Sequence, residues 1–196
     1  MTDRECQWCG AGLNLARSDA RTCSTRCRVA AHRAAKKAAK RAAEARMEAI
    51  PAELREIPRW VRWKSRRRGS GTTKAPLTTA GRSASSTDQA TWTTYAEVAA
   101  STVGDGAGFV LNGDGLACID LDGVLDGDRL DPRASALLAE VDPFLVERSP
   151  SGRGLHAWVR HGSPTGRSVY TRPDGLRVEW YTDGRYMTVT GDRFTP

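Results

Sequence analysis

Leu116-Ala117-Cys118-Ile119-Asp120-Leu121-Asp122-Gly123 is the stretch on which the rest of the chain turns. A short apolar run ending in two carboxylates one residue apart reads as a buried strand, with Gly123 letting the chain turn away. Side chains alternate along a strand, so Asp120 and Asp122 are expected on the same side. Two carboxylates that close repel one another and are costly beside a core unless positive charge lies between them. A divalent metal carried with a phosphate substrate supplies that charge. The plainer alternative is a solvated Asp-x-Asp-Gly turn.

The 196 residues suffice for one sizeable core and a small appendage. No apolar run approaches membrane length, and Asp3, Arg4 and Glu5 do not open a signal peptide, so a cytoplasmic chain without a membrane partner is expected. The net charge of +7 is unevenly placed: residues 1–68 hold 18 Lys and Arg against 7 Asp and Glu, residues 69–196 hold 12 against 16. A basic arm joined to a mildly acidic body predicts a polyanion partner for the arm and a metal-holding cleft in the body.

Four of the five cysteines fall in the first 27 residues, as Cys6-x2-Cys9 and Cys23-x3-Cys27. Thiolates at those spacings can reach one tetrahedral ion, and the 13 residues between the pairs let both converge on it. Gly10 suits the tight knuckle that presents them. Disulfides are the alternative, disfavoured in a reducing cytoplasm; the expectation is a closed, structural Zn2+ site, with His32 a possible substitute ligand.

From Cys27 to Met47 the chain is almost all Ala, Arg and Lys, which predicts an exposed basic helix. Arg26, Arg28, Arg33, Lys36, Lys37, Lys40 and Arg41 could lie along DNA phosphates; a solvated helical spacer is the alternative. Domain boundaries are placed at residues 1–30 for the finger, 31–50 for the helical linker and 51–196 for the body.

In that body, Trp60, Val61 and Trp63 suggest a first strand, and Arg66 to Ser86 a long Gly/Ser/Thr/Arg loop carrying Lys74. Thr94-Tyr95-Ala96-Glu97 fits a capping box. Gly108 to Leu111 reads as a strand, with Asn112-Gly113 as a hairpin turn into the central strand. Leu130, Ala134, Leu137, Leu138 and Val141 recur at helical spacing, predicting a helix over the sheet. The small-residue loop at Ser151-Gly152-Arg153 offers backbone donors to a triphosphate, then feeds a strand with His156 and Trp158 on one side. Arg177-Val178-Glu179-Trp180-Tyr181 reads as a strand returning, through a turn at Asp183-Gly184, as a hairpin with Arg185 to Gly191. Glu179 in mid-strand needs a partner, and a role as third metal ligand supplies one; Arg185 is then near enough to clamp phosphate.

Three stretches thus stand in order: Ile119-Asp120-Leu121-Asp122, Ser151 to His156, and Val178-Glu179-Trp180-Tyr181. Together they resemble the three motifs of the archaeo-eukaryotic primase superfamily, in particular the bifunctional primase-polymerase domain of phage and plasmid replication proteins. The likeness extends to Pro51-Ala52-Glu53-Leu54-Arg55, Arg59 to Trp63, Lys74-Ala75-Pro76, Ala84 to Asp88 and Thr91-Trp92, covering roughly residues 51 to 191.

The resemblance implies an α+β fold, with an RNA-recognition-motif-like antiparallel sheet and an N-terminal α/β unit completing a cleft. It implies a template-directed nucleotidyltransferase, a DNA primase and polymerase, in which Asp120, Asp122 and Glu179 hold two Mg2+ or Mn2+ ions. His156 would contact the incoming nucleotide's phosphates with Ser151, Gly152 and Arg153, and Arg185 and Lys74 would add cations. The implied partners are a single-stranded DNA template and NTP or dNTP; many relatives continue into a helicase, whereas this chain stops at Pro196, so a separate replicative helicase is expected.

Two other readings compete. Ile119 to Leu125 also looks like the first motif of haloacid-dehalogenase-type phosphatases, but the last lysine is Lys74, upstream of the motif, and only 74 residues follow Asp122. The non-enzymatic alternative is a zinc-finger DNA-binding replication accessory protein with a vestigial catalytic face.

Overall fold

The computed structural model describes residues 4–13, 16–69, 71–161 and 166–196. They form two compact units, Met1–Ala45 and Arg46–Pro196. The first holds a cysteine knuckle and most of helix α1 (Thr25–Glu48), which has 24 residues and buries none of them. Its Ala, Lys and Arg content supplies helix propensity without an apolar stripe, as the sequence predicts.

The second unit is a mixed α/β body built on antiparallel sheets. Strands β1 (Trp60–Arg68), β2 (Gly71–Leu77), β3 (Gly106–Asn112) and β11 (Asp183–Val189) form a four-stranded sheet in the order β11-β3-β1-β2. Strands β4 (Leu116–Leu121), β7 (Leu145–Arg148), β8 (Leu155–Arg160), β9 (Arg167–Thr171) and β10 (Arg177–Tyr181) form a five-stranded sheet in the order β7-β8-β4-β10-β9. A small ribbon pairs β5 (Leu125–Asp126) with β6 (Arg129–Leu130).

Alternation along β4 divides its side chains between two cores. Ala117, Ile119 and Leu121 pack with Ala134, Leu137 and Leu138 of helix α4 (Pro132–Val141), so this helix covers one face of the five-stranded sheet as expected. Leu116 and Cys118 turn the other way and join Trp60, Phe109, Met187 and Val189 of the four-stranded sheet in a second core. Phe109 meets Trp158 edge to face at 5.9 Å there, a contact worth about 1 kcal/mol beyond its burial. Helices α2 (Ala52–Arg55) and α3 (Tyr95–Ala100) add Leu54 and Val98 to the same core. Thr94 and Glu97 form the predicted capping box.

Three sequence expectations are corrected. Arg66 to Ser86 is not one long loop: β1 runs to Arg68 and pairs with β2 from Arg62↔Leu77 to Arg68↔Gly71, with Ser70 outside the described residues. That stretch is polar on both sides, so it lacks the apolar alternation by which strands are recognised. Asn112-Gly113 is not a hairpin turn, because β3 and β4 lie in different sheets. Nor do β10 and β11 form a hairpin around Asp183-Gly184: β11 begins at Asp183 and pairs with β3. In both places the chain crosses between sheets, so that apolar residues of both strands reach the shared core.

Candidate active site and cysteine centre

β4 is the middle strand of its sheet, and the register on its two sides sets the site. Asp120 pairs with His156 of β8 on one side and Glu179 of β10 on the other; His156 in turn pairs with Glu147 of β7. Directly opposed residues project to the same face, so Glu147, His156, Asp120 and Glu179 form one row across four strands. Like charges opposed in such a row are destabilising, and each acid here has its own compensation.

Glu147 is fully buried and satisfied. It accepts from Trp158 Nε1 at 3.3 Å, from the Thr190 amide and hydroxyl at 2.9 and 3.1 Å, and from the Gly191 amide at 2.8 Å. His156 is also buried, its Nδ1 2.9 Å from the Thr188 carbonyl oxygen. A carbonyl only accepts, so the proton sits on Nδ1, and Nε2 is turned toward Asp120 Oδ1 at 3.8 Å.

Asp120 is the strained member. Its Oδ1 is buried and has no hydrogen-bond partner among the described residues. Burial raises its carboxyl above the usual carboxylate range; His156 and Lys74 pull it back, while Asp122 and Glu179 push it further up. Glu179 is held the opposite way. The Tyr181 hydroxyl donates to it, as do Arg177 Nη2 at 2.6 Å and Arg167 Nη2 at 3.3 Å, and its carboxyl lies below the ordinary range, first because of Tyr181 and then because of the two arginines.

A cavity of about 460 Å3 opens on this row. Asp120 and His156 line it from the five-stranded sheet; Thr72, Thr73 and Lys74 of β2, Ser86, and Gly184 and Arg185 of β11 line it from the other side. Lys74 Nζ lies 5.9 Å from the Trp63 ring centre, and Arg185 Cζ lies 4.9 Å from the Tyr181 ring centre. The Tyr186 hydroxyl donates to the Lys74 carbonyl at 2.6 Å and Ser86 Oγ to the Gly184 carbonyl at 2.8 Å, tying β2 and the 86 loop to β11.

The other sequence-predicted residues sit at the end of β4. Asp122 is exposed just past Leu121, in the turn with Gly123 at φ +69°. The loop of Ser151, Gly152 and Arg153 lies beside it: a Cβ on Gly154 would come within 2.7 Å of the Leu121 carbonyl oxygen and 3.4 Å of Asp122 Cα. Only glycine allows that approach. Gly152 is at φ +73°, Ser149 Oγ and Ser151 Oγ are 2.9 Å apart, and Arg153 is exposed. The structure therefore groups Asp120, His156, Lys74 and Arg185 on the cavity, sets Glu179 beside Asp120, and leaves Asp122 and the 151–153 loop adjacent to one another outside its lining.

Sequence reading did not single out Arg167, Arg177 and Tyr181 as partners of Glu179, nor Glu147 as the buried end of the row. Arg177-x-Glu179-x-Tyr181 did carry a signal, since that spacing puts all three on one strand face.

In the first unit, the four cysteine sulfurs lie within 4.8 Å of one another. Cys9 and Cys23 are 3.5 Å apart, Cys23 and Cys27 3.5 Å, and Cys9 and Cys27 3.7 Å, all far beyond a disulfide bond, and every cysteine is free. Gly10 at φ +73° closes the knuckle by donating to the Cys6 carbonyl at 2.9 Å. The Cys9 and Cys23 amides lower the Cys6 thiol to about 6, whereas the neighbouring Cys27 and Cys9 sulfurs push Cys23 up to about 12. Four cysteine sulfurs this close together could hold a metal ion, and such a donor set suits zinc. The described residues of α1 place Arg33, Lys36, Lys37, Lys40 and Arg41 on its exposed length. No described helix is long and apolar enough to cross a membrane.

Comparison with known proteins agrees with the geometry. Residues 39–195 match the family model described as bifunctional DNA primase/polymerase, N-terminal. The chain is also 40% identical, over 155 residues, to the DNA primase-polymerase of Nitratiruptor phage NrS-1; the match covers 74% of this chain and 21% of that protein. It therefore spans about a fifth of the length of that relative. With four-fifths of its residues under the family model, and Asp120 and Glu179 opposed on adjacent strands, this chain belongs to the bifunctional DNA primase/polymerase family.

Proposed function

We propose that the chain carries out template-directed nucleotidyl transfer, synthesising primers, extending DNA or both, during replication of a phage or mobile element. One observation carries the reading: a buried carboxylate oxygen of Asp120 with no hydrogen-bond partner among the described residues, between His156 and Glu179, facing a cavity whose far wall carries Lys74 and Arg185. An orphaned buried oxygen beside two further carboxylates fits hard, oxygen-seeking cations. Asp120, Asp122 and Glu179 would hold two Mg2+ or Mn2+ ions. When bound, such ions neutralise triphosphate charge and make the attacking 3′-hydroxyl more acidic.

The chain's own residues do the rest. Lys74 and Arg185 set positive charge opposite Asp120, where a triphosphate would lie. His156 is held by its Nδ1 proton on the Thr188 carbonyl and turns Nε2 to the cavity, where a protonated Nε2 would donate to a phosphate oxygen. In the loop that Gly152 turns, the Ser151 hydroxyl and the exposed Arg153 guanidinium add donors beside Asp122. The Tyr186 and Ser86 hydrogen bonds hold the cavity wall in place, so orientation does not have to be gained on binding.

The fold supports the same assignment at finer grain. We read the five-stranded sheet backed by α4 as the RNA-recognition-motif-like core, and the four-stranded sheet with α2 and α3 as the α/β unit that closes the cleft. The cysteines are read as ligands of a structural Zn2+ in a finger over residues 1–30, with residues 31–50 as a basic linker whose Arg33, Lys36, Lys37, Lys40 and Arg41 contact DNA. The partners are a single-stranded template, NTP or dNTP, and a replicative helicase, in the cytoplasm.

Primer extension and de novo synthesis on single-stranded template, with Mg2+ or Mn2+, test the reading. Wild type is expected to incorporate nucleotide and an Asp120→Ala/Asp122→Ala variant to lose incorporation. Full activity in that variant would remove the mechanism, and an inert wild type would favour a DNA-binding accessory protein.

A further inference from the structure

From Ile57 to Thr87 the chain contains no Asp or Glu, yet eight Lys and Arg fall in the same span. Two are absorbed by the body: Arg59 pairs with Asp114 at 2.8 Å, and Arg62 donates to the Val103 carbonyl at 2.6 Å. Lys64, Arg66, Arg67 and Arg68 are exposed, and among the described residues no side-chain partner engages any of them.

These four residues occupy a ribbon with little support of its own. β1 pairs with β3 only from Trp60 to Trp63; from Lys64 to Arg68 its one ladder is to β2, Lys64↔Ala75 through Arg68↔Gly71. Every β1 residue in that half is exposed, as are Gly71, Thr72, Thr73 and Lys74 opposite. A two-stranded ribbon that buries no apolar side chain gains little by folding in water, and neighbouring cations repel. Alternation puts Lys64, Arg66 and Arg68 on one face, with Arg67 and Lys74 on the other, so both faces are cationic. Thr72, Thr73 and Lys74, which stand opposite Arg67, Arg66 and Ser65 in the ladder, line the cavity that holds Asp120 and His156. The cationic half of β1 thus runs for about 16 Å alongside the strand that lines the cavity, at roughly 3.3 Å per residue.

The geometry points to the β1–β2 ribbon as a clamp on the sugar-phosphate backbone of the single-stranded template passing the cavity. A polyanion is the partner that unpaired charge on both faces of a ribbon fits, and continuity with the cavity names which polyanion. The identity of the strand rests on the nucleotidyl-transfer reading; the charge complementarity does not.

The test is fluorescence anisotropy of a labelled oligothymidylate with the full chain, without nucleotide or divalent cation, across a salt series. Removing three phosphate contacts in Arg66→Gln/Arg67→Gln/Arg68→Gln should flatten the plot of log affinity against log salt by about 2 and weaken binding at least about tenfold at low salt. All three side chains are exposed, so the variant should match wild type in thermal unfolding. A parallel Lys36→Gln/Lys37→Gln/Lys40→Gln variant reports the share held by α1. Unchanged slope and affinity in the ribbon variant would overturn the clamp, whatever the α1 variant does. Because binding is read without catalysis, a wild type that binds but incorporates nothing would overturn the catalytic reading alone.

Discussion

Glu179 stands directly opposite Asp120 in the β4–β10 ladder, yet their surroundings push the two carboxyls in opposite directions. Burial raises Asp120 and leaves one of its oxygens without a hydrogen bond among the described residues, while Tyr181, Arg177 and Arg167 hold Glu179 as a stable anion. A pair of acids whose environments drive them apart is a mark of functional sites, where strain in one member is relieved by what binds.

The first prediction concerns Asp120→Asn. Nucleotide incorporation should fall by about three orders of magnitude, the scale on which removal of a charge-stabilising group acts. Stability should not fall with it. A raised carboxyl favours the native state while protonated and loses that contribution as pH rises through its folded value, so at neutral pH the charge opposes folding. In metal-free buffer the variant should melt at or above the wild-type temperature at pH 7, with the gap closing toward pH 4. A variant markedly less stable at pH 7 would contradict the burial argument.

Glu179 gives the reverse case. Arg177 and Arg167 compete with any cation for its carboxylate, through ion pairs whose exposed arginines make them worth about 0.2–1 kcal/mol each. Arg167→Ala/Arg177→Ala should therefore lower the Mg2+ or Mn2+ concentration needed for half-maximal incorporation by a few-fold. Because the Glu179 carboxyl is depressed, the stability its partners provide is present above the ordinary carboxylate range and lost as pH falls through the depressed value. A rise in the metal requirement would mean that the arginines position Glu179 instead.

Glu147 is predicted to be structural. Four donors converge on it, from Trp158, Thr190 and Gly191, fastening the end of β11 to β7 and β8. Glu147→Ala strands those donors and should cost about 3 kcal/mol or more in urea unfolding; Glu147→Gln, which keeps one accepting oxygen, should cost less. Equal losses would show that charge, not the count of accepted bonds, is what matters there.

The cysteine centre makes a stoichiometric prediction. Metal analysis of purified wild type should return about one zinc per chain, and Cys23→Ser/Cys27→Ser should return essentially none. Thermal unfolding of the Arg46–Pro196 unit should be unaffected, since its core draws on no residue of the first unit. Wild type that carries no zinc would remove the assignment.

Much of this site was legible because strand alternation is a local property. Asp120, His156 and Glu179 each sit in a short apolar run, so their strands could be read residue by residue; α3 announced itself by its capping box and α4 by its helical spacing. Pairing is not local. The turns at Asn112-Gly113 and Asp183-Gly184 signalled reversals, but which strand β3 and β11 would join was decided by the shared core around Phe109 and Trp158. The β1–β2 ribbon was missed for another reason: with no apolar face, nothing in its composition distinguishes it from a loop.

The order β7-β8-β4-β10-β9 sets a hierarchy of durability. Asp120 rides on a central strand, laddered on both sides, and can be dislodged only by dismantling the sheet. Arg167 belongs to β9, an outermost strand whose five residues are all exposed, so fraying there would loosen the hold on Glu179 while Asp120 stays put. Amide exchange in β9 should thus proceed through small local openings, and that of β4 only through global unfolding.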